Sequence, residues 1–281
     1  MLAPPPQAQV QADVERALAE DIGSGDVTAD LLPDTAARGY VVAKEAAVLA
    51  GRPWFDACFR ALDPAWSVEW FVGEGEPLRV GQVVCRFHGR ARALVSAERC
   101  ALNFLQTLSG TATRTAEFVA ATAGTRTRIL DTRKTLPGLR IAQKYAVRAG
   151  GGHNHRLGLY DTVMLKENHV LAAGSIAAAA SRARALHPGV PLVIEVETLA
   201  ELREALDTGC ERILVDDFSE ADLREAVAIA AGRIPLEVSG GVELARVAAI
   251  AATGVDCISV GALTKHVRAI DFSMRLGDPP A

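Results

Sequence analysis

The 281-residue sequence has no apolar run long enough to cross a bilayer, and its start, MLAPPPQAQV, carries neither the basic region nor the apolar stretch of a signal peptide. A cytoplasmic protein that makes no membrane contact is the expectation. The five cysteines (58, 85, 100, 210 and 257) are odd in number, widely spaced and without a CxxC. That pattern suits reduced core thiols and argues against a disulfide framework or a zinc site. Positive charge is not in excess either: 30 Lys and Arg face 34 Asp and Glu, a formal net charge of -4. Nucleic acid is therefore a poor partner, because phosphate backbones are bound by broadly basic faces. What is present, 49% hydrophobic and 23% charged residues, describes a globular chain with core enough for one large domain or two.

Against this mildly acidic background one segment is basic. Between Asp131 and His169 seven cations (133, 134, 140, 144, 148, 156 and 166) meet three acids (Asp131, Asp161 and Glu167), a formal +4, and His153, His155 and His169 lie among them. The segment is either a solvated charged surface or a pocket for a small polyanion.

Composition and periodicity divide the chain. Residues 1–8 read as a disordered Pro/Ala/Gln-rich tail, and Val10, Val14 and Leu18 as the stripe of a helix over Val10–Ala19. Residues 40–94 mix a helix at Pro53–Leu62 with short alternating segments, an α+β pattern, and Ser96 is placed to cap a helix carrying Leu102, Leu105 and Leu108. After Gly124, short apolar strands (RIL, TVML, LVIE, RILV, LEV and CISV) alternate with Ala/Leu/Glu/Arg-rich helices. Lys166, Glu195, Asp216, Ser239 and Gly261 close the last five strands at spacings of 29, 21, 23 and 22 residues. Such a run of βα units builds a barrel or a doubly wound sheet. The barrel explains more, since it gathers every polar or glycine strand end around one mouth.

At that mouth Arg133, Arg156 and Lys166 would converge, Arg as a fork for planar carboxylates and Lys as a compact charge. The expected ligand carries at least two carboxylates. His153 and His155 have the spacing of a metal pair, but His187 and His266 are poorly placed to complete one. Glu195 and Asp216 end apolar runs, where a carboxylate is costly without a cation or donor. As a pair they suit Mg²⁺ or sugar hydroxyls; helix capping by Asp216 or Asp217 is the plainer alternative for one of them. Ser239, Gly240 and Gly241, then Val260, Gly261 and Ala262, follow the last two strands, where small residues let backbone N–H groups and helix N-termini reach a phosphate.

Taken in order, EDIGSGDVT, ERCALNFLQTLSGTAT, DTRKTLPGLR, KYAVRAGGGHNHRLGLYDTVMLKENH, EVETL, LVDDF, VSGGV and VGALTK resemble the quinolinate phosphoribosyltransferase family, also called carboxylating nicotinate-nucleotide pyrophosphorylase, over residues 20–275. The resemblance implies an N-terminal α/β sandwich (9–112), an incomplete, TIM-like α/β barrel (113–270) and a C-terminal tail (271–281), working as a dimer or an assembly of dimers. It implies quinolinate and phosphoribosyl pyrophosphate as substrates, Mg²⁺ as cofactor, and nicotinate mononucleotide, CO₂ and pyrophosphate as products in the route to NAD. Arg133, Arg156 and Lys166 then resemble the quinolinate-binding cations, with Thr132, Lys134 and His155 alongside; Lys134 and Lys166 are also expected among the catalytic groups. Glu195 and Asp216 resemble the carboxylates near ribose and metal, the two glycine loops resemble the phosphate sites, and Arg99 resembles an arginine supplied by the neighbouring subunit. Two positions depart from the pattern: Asp217 stands where Asn is usual and Cys100 where a small residue is usual. The rivals are a paralogue for another anionic base, a sugar-phosphate lyase or isomerase, and a silent ligand-binding protein.

Overall fold

A computed structural model describes residues 2–279, in two compact units. The first takes the chain up to Ala116, then Thr135–Gly151, then from Leu263 onward; the second takes Glu117–Lys134 and Gly152–Ala262. In chain order the strands are β1 (Ala36–Ala43), β2 (Ala47–Val48), β3 (Ser67–Trp70), β4 (Pro77–Leu78), β5 (Val83–Arg90), β6 (Arg128–Leu130), β7 (Val163–Leu165), β8 (Leu192–Val196), β9 (Arg212–Asp216), β10 (Leu236–Ser239), β11 (Cys257–Ser259) and β12 (Phe272–Leu276). The helices are α1 (Gln7–Ile22), α2 (Arg52–Leu62), α3 (Ala91–Ala120), α4 (Arg140–Ala149), α5 (Glu167–Ala173), α6 (Ile176–Leu186), α7 (Leu199–Leu206), α8 (Glu220–Ala230), α9 (Leu244–Ala251) and α10 (Ala262–Lys265).

The first unit is built on an antiparallel sheet of order β12-β1-β5-β3. Its core is aromatic: Phe59 stacks against Trp66 at 5.2 Å and Phe87 at 5.5 Å, with Phe55 at 4.9 Å. Gly39 makes room, since a Cβ there would strike the Phe87 ring, and in mid-α3 Gly110 does the same for the Arg268 carbonyl. Buried Asp13 accepts the Trp54 indole N–H at 3.0 Å and Arg16 at 2.7 Å, which supplies the partners a carboxylate at 1% exposure requires.

Several boundaries differ from the sequence reading. The segment 271–281 is not simply a tail: β12 pairs with β1 from Gly39↔Leu276 to Ala43↔Phe272 and covers an edge that would otherwise expose unpaired backbone. Helix α1 starts at Gln7 rather than after residue 8. Ser96 caps nothing, because α3 starts at Ala91 directly after β5; its hydroxyl donates to Asp26 at 2.7 Å instead. The same helix runs unbroken through the expected boundary at 112/113, and 135–151 with 263 onward group with the first unit.

The second unit realises all six strands read from the sequence, in the parallel order β6-β11-β10-β9-β8-β7. A doubly wound sheet would keep the first strand inside. Here β6 pairs with the last strand, β11, and its other side bridges His153 through Leu130, so the strands curl into a barrel left open before β7. Facing residues in adjacent strands share a side of the sheet. One side, Ile129, Ile194, Ile213, Val215, Leu236, Val238 and Ile258, is apolar and buried. The other carries Glu195, Asp216, Arg212, Glu237 and Ser239.

Candidate active site

The parallel register lifts the strand ends to one level. Leu165 faces Ile194, so the next residues, Lys166 and Glu195, meet: the Lys166 ammonium donates to both Glu195 oxygens, at 2.9 and 2.7 Å. Asp216 ends β9 opposite Ser239 of β10. It does not cap α8, because Ser219 does so, accepting the Asp222 N–H at 3.2 Å. With capping removed as its role, the half-buried Asp216 carboxylate has no hydrogen bond or ion pair to any other described residue. Asp217 follows at φ 56°, a left-handed conformation that Asn and Asp tolerate best among non-glycine residues, which accounts for the residue type at this position.

The glycine loops are built for close approach. Gly240 (φ 97°) lies against Asp216, where a Cβ would stand 3.2 Å from Oδ1, and Gly241 has φ 49°. Beyond β11, Val260 donates its N–H to Leu130 at 2.9 Å, and a Cβ on Gly261 would sit 2.9 Å from Cδ of Lys134. Ala262 opens α10 directly, whereas α9 starts at Leu244 with Glu243 at its N-cap. The first loop therefore offers glycine amides rather than a helix end.

Strand β6 leads into Asp131, fully buried, which accepts the Asn154 amide at 2.6 Å and the His155 backbone N–H at 2.8 Å. These bonds bring 154–156 beside 131–134. The Thr132 hydroxyl accepts the Lys134 N–H at 3.0 Å, and Arg156 donates to the Thr162 carbonyl at 3.1 Å. Burial first, then the neighbouring Arg133 guanidinium, pushes Arg156 below its ordinary pKa. Two neighbouring guanidiniums call for an anion, and Nε of Arg133 is buried with no hydrogen-bond partner, which leaves a donor for one.

The second unit thus gathers Thr132, Arg133, Lys134, His155, Arg156, Lys166, Glu195, Asp216, Ser239, Gly240, Gly241, Val260, Gly261 and Ala262 at its strand ends. Arg99 lies exposed on α3 in the first unit, outside this set. Two carboxylates beneath the rim were assigned no role from sequence, Asp131 and Glu237. The signal that flagged Glu195, a lone acid in an apolar strand, also marks Glu237 in LEV and Asp131 in RILD. A pair of guanidinium forks, an ammonium, two carboxylates and two glycine loops can hold a dicarboxylate beside a sugar phosphate.

Residues 111–275 match the family model described as quinolinate phosphoribosyl transferase, C-terminal domain, and 26–109 match that of the N-terminal domain. The chain belongs to the quinolinate phosphoribosyltransferase family. A probable nicotinate-nucleotide pyrophosphorylase [carboxylating] of Bacillus subtilis (strain 168) is 42% identical over 257 residues, 91% of this chain and 89% of that one. The nicotinate-nucleotide pyrophosphorylase [carboxylating] of Mycobacterium leprae is 43% identical over 274 residues, 94% of this chain and 95% of its own. The solved nicotinate-nucleotide pyrophosphorylase of Francisella tularensis superposes with a TM-score of 0.95 at 41% identity, covering 99% of both chains. Members of this quinolinate phosphoribosyltransferase family pair an N-terminal domain with a C-terminal α/β barrel, and the two units here have that architecture.

Proposed function

We propose that this chain joins quinolinate to phosphoribosyl pyrophosphate, releasing CO₂ and pyrophosphate and leaving nicotinate mononucleotide for NAD synthesis. The observation that carries the reading is the meeting of Arg133 and Arg156 at one barrel mouth, with a buried Arg133 donor unbonded, opposite the Glu195 and Asp216 carboxylates. Arg133, Arg156 and Lys166 hold the two quinolinate carboxylates, Arg by bidentate hydrogen bonds, with Thr132 and Lys134 alongside. The pyridine nitrogen attacks the anomeric carbon as the bond to pyrophosphate breaks, so no protein nucleophile is needed. Glu195, oriented by Lys166, and Asp216 stabilise the positive charge that develops on the sugar, and the Ser239–Gly241 and Val260–Ala262 loops seat phosphate. Once ribosylated, the ring nitrogen is cationic and stabilises the carbanion left when the neighbouring carboxylate departs as CO₂, and that carbon then takes a proton from water to give nicotinate mononucleotide.

Mg²⁺ takes one or two carboxylates, water and substrate phosphate oxygens. Asp216, without a protein partner, and Glu195, shared with Lys166, fit that mode; no cluster of three ligating side chains occurs among the described residues. The ion would supply charge neutralisation to the leaving pyrophosphate. The same reading carries a cytoplasmic setting and a symmetric dimer in which Arg99 of one copy serves the site of the other. Among the described residues no helix is long and apolar enough to cross a membrane. Incubation with quinolinate, phosphoribosyl pyrophosphate and Mg²⁺ should yield nicotinate mononucleotide and pyrophosphate in equal amounts, and omission of any one component should stop both. Absence of the nucleotide, or its formation without pyrophosphate, would overturn the reading.

A further inference from the structure

Glu237 is a carboxylate at 0% exposure in the middle of β10, one layer below Ser239 and the rim. Burial alone would raise its pKa, yet His155 and then Arg212 hold it below the ordinary glutamate range. Arg212 of β9 donates to its Oε2 at 2.7 Å, and Nε2 of His155 lies 3.3 Å from the same oxygen, a close contact not aligned as a hydrogen bond, while Oε1 has no hydrogen-bond partner among the described residues. The other imidazole nitrogen, Nδ1, accepts the Arg156 backbone N–H at 2.7 Å. A nitrogen that accepts carries no proton, so the imidazole proton belongs on Nε2, toward Glu237. The His155 side chain is 8% exposed. Its ring thus runs as a strut from a buried carboxylate to the backbone of a substrate-side arginine.

We propose that Glu237 is a positioning residue for quinolinate, acting through the His155 imidazole to fix Arg156. His155 then supports the ligand site rather than touching the ligand. Asp131 accepts the His155 backbone N–H and the Asn154 side-chain amide, and Glu237 lies against the His155 ring, so the turn leading into Arg156 is held from two sides. A buried charge that only neutralised Arg212 would need no imidazole beside it. The second contact gives the carboxylate a consequence at the rim.

The proposal rests on the function given above, so its test has one arm that does not depend on turnover. With ¹⁵N-histidine in the unaltered protein, His155 should show an unprotonated Nδ1 and a protonated Nε2, and Glu237→Gln should shift the Nε2 resonance. A protonated Nδ1 would sink the proposal even if the enzyme is fully active. In kinetics, Glu237→Gln should raise the KM for quinolinate about tenfold, the scale of losing one close contact to a buried charge, with the KM for phosphoribosyl pyrophosphate within about twofold. Combined with His155→Ala, it should add nothing to the loss from His155→Ala alone, because both act through one strut. Additive losses, or equal losses for both substrates, would reduce Glu237 to a counter-ion for Arg212. A Glu237→Gln protein that did not fold would leave the decision to the tautomer in the unaltered protein. A chain that made no nicotinate mononucleotide but kept this tautomer would lose the proposed function and not the strut.

Discussion

The two units put their charges to opposite uses. In the first, rings fill the interior, and buried acids fasten secondary structure: Asp13 ties Trp54 to α1, and Glu74 accepts the Gly51 and Arg52 N–H groups at the start of α2. In the second, the three aromatic residues are Phe118, Tyr160 and Phe218, and the apolar side of the sheet is its Ile/Val/Leu face. Its other side sets Arg212, Glu195, Asp216 and Glu237 among buried Val193, Leu214, Leu130 and Cys257. Four of the charges on that face pair with one another, as Lys166–Glu195 and Arg212–Glu237, and Asp216 is left for a ligand. One unit therefore fills its interior with rings, while the other combines an aliphatic core with buried ion pairs beneath a charged mouth.

The largest effect that could break this comparison is in the first unit. Phe59→Ala removes a fully packed ring and should cost about 3–5 kcal/mol in denaturant unfolding. An equal cost from a single aliphatic truncation such as Ile194→Val, where about 0.5–1.5 kcal/mol is expected, would erase the distinction between the two cores. In the second unit Arg133→Ala should weaken quinolinate binding by about 2–5 kcal/mol in calorimetry with little change in melting temperature. Unaltered affinity would remove Arg133 from the ligand site. Asp216→Ala should lower kcat about a hundredfold while leaving quinolinate affinity intact and the fold unharmed, since Ser219 holds the cap. Loss of folding in Asp216→Ala would return it to a structural role.

A smaller effect asks whether both units serve one reaction. If the proposed dimer shares its sites, Arg99→Ala and Lys166→Ala proteins, each nearly inactive, should recover about a quarter of native activity when their subunits exchange, because half of the dimers would be hybrids with one intact site. Verified hybrids without recovery would confine Arg99 to its own chain. The smallest effect concerns Glu74, whose carboxyl burial pushes up to about 7 against the Arg52 and Gly51 N–H groups that favour its charge. The folded state then holds a proton that the unfolded state releases near 4.5, so the contribution is full below that value and is lost as pH rises toward about 7. Glu74→Gln should flatten the fall in melting temperature across that window by the equivalent of about 1 kcal/mol, the shift being discounted for partial exposure. A slope identical to that of the unaltered protein would mean that Glu74 ionises freely.

Much of the second unit could be read from the sequence, because βα repeats are local. Each strand is a short apolar run, each helix a 3.6-residue pattern, and both periods are fixed by backbone geometry within a few residues. The strand-end residues Lys166, Glu195, Asp216 and Ser239 were legible for the same reason: the end of an apolar run marks the end of a strand. Helix α7 lies at the residues its pattern indicates, Leu199–Leu206. Ser96 misled because a residue suited to capping is equally suited to hydrogen bonding from inside a helix, and only the direct join of β5 to α3 decides which occurs.

The sequence by itself determined the order of strands and helices after Gly124, the identity of the charged and glycine-bearing strand ends, and the family. Tertiary structure alone decided that β12 returns to pair with β1, that β6 closes on β11, that Ser219 rather than Asp216 caps α8, and that Glu237 and Asp131 lie buried against His155. The physical reason is range. Periodicity and capping chemistry act over a few residues, whereas the partner of a strand edge or a buried carboxylate is chosen by whatever lies beside it in the folded chain, here 82 residues away for His155 and Glu237.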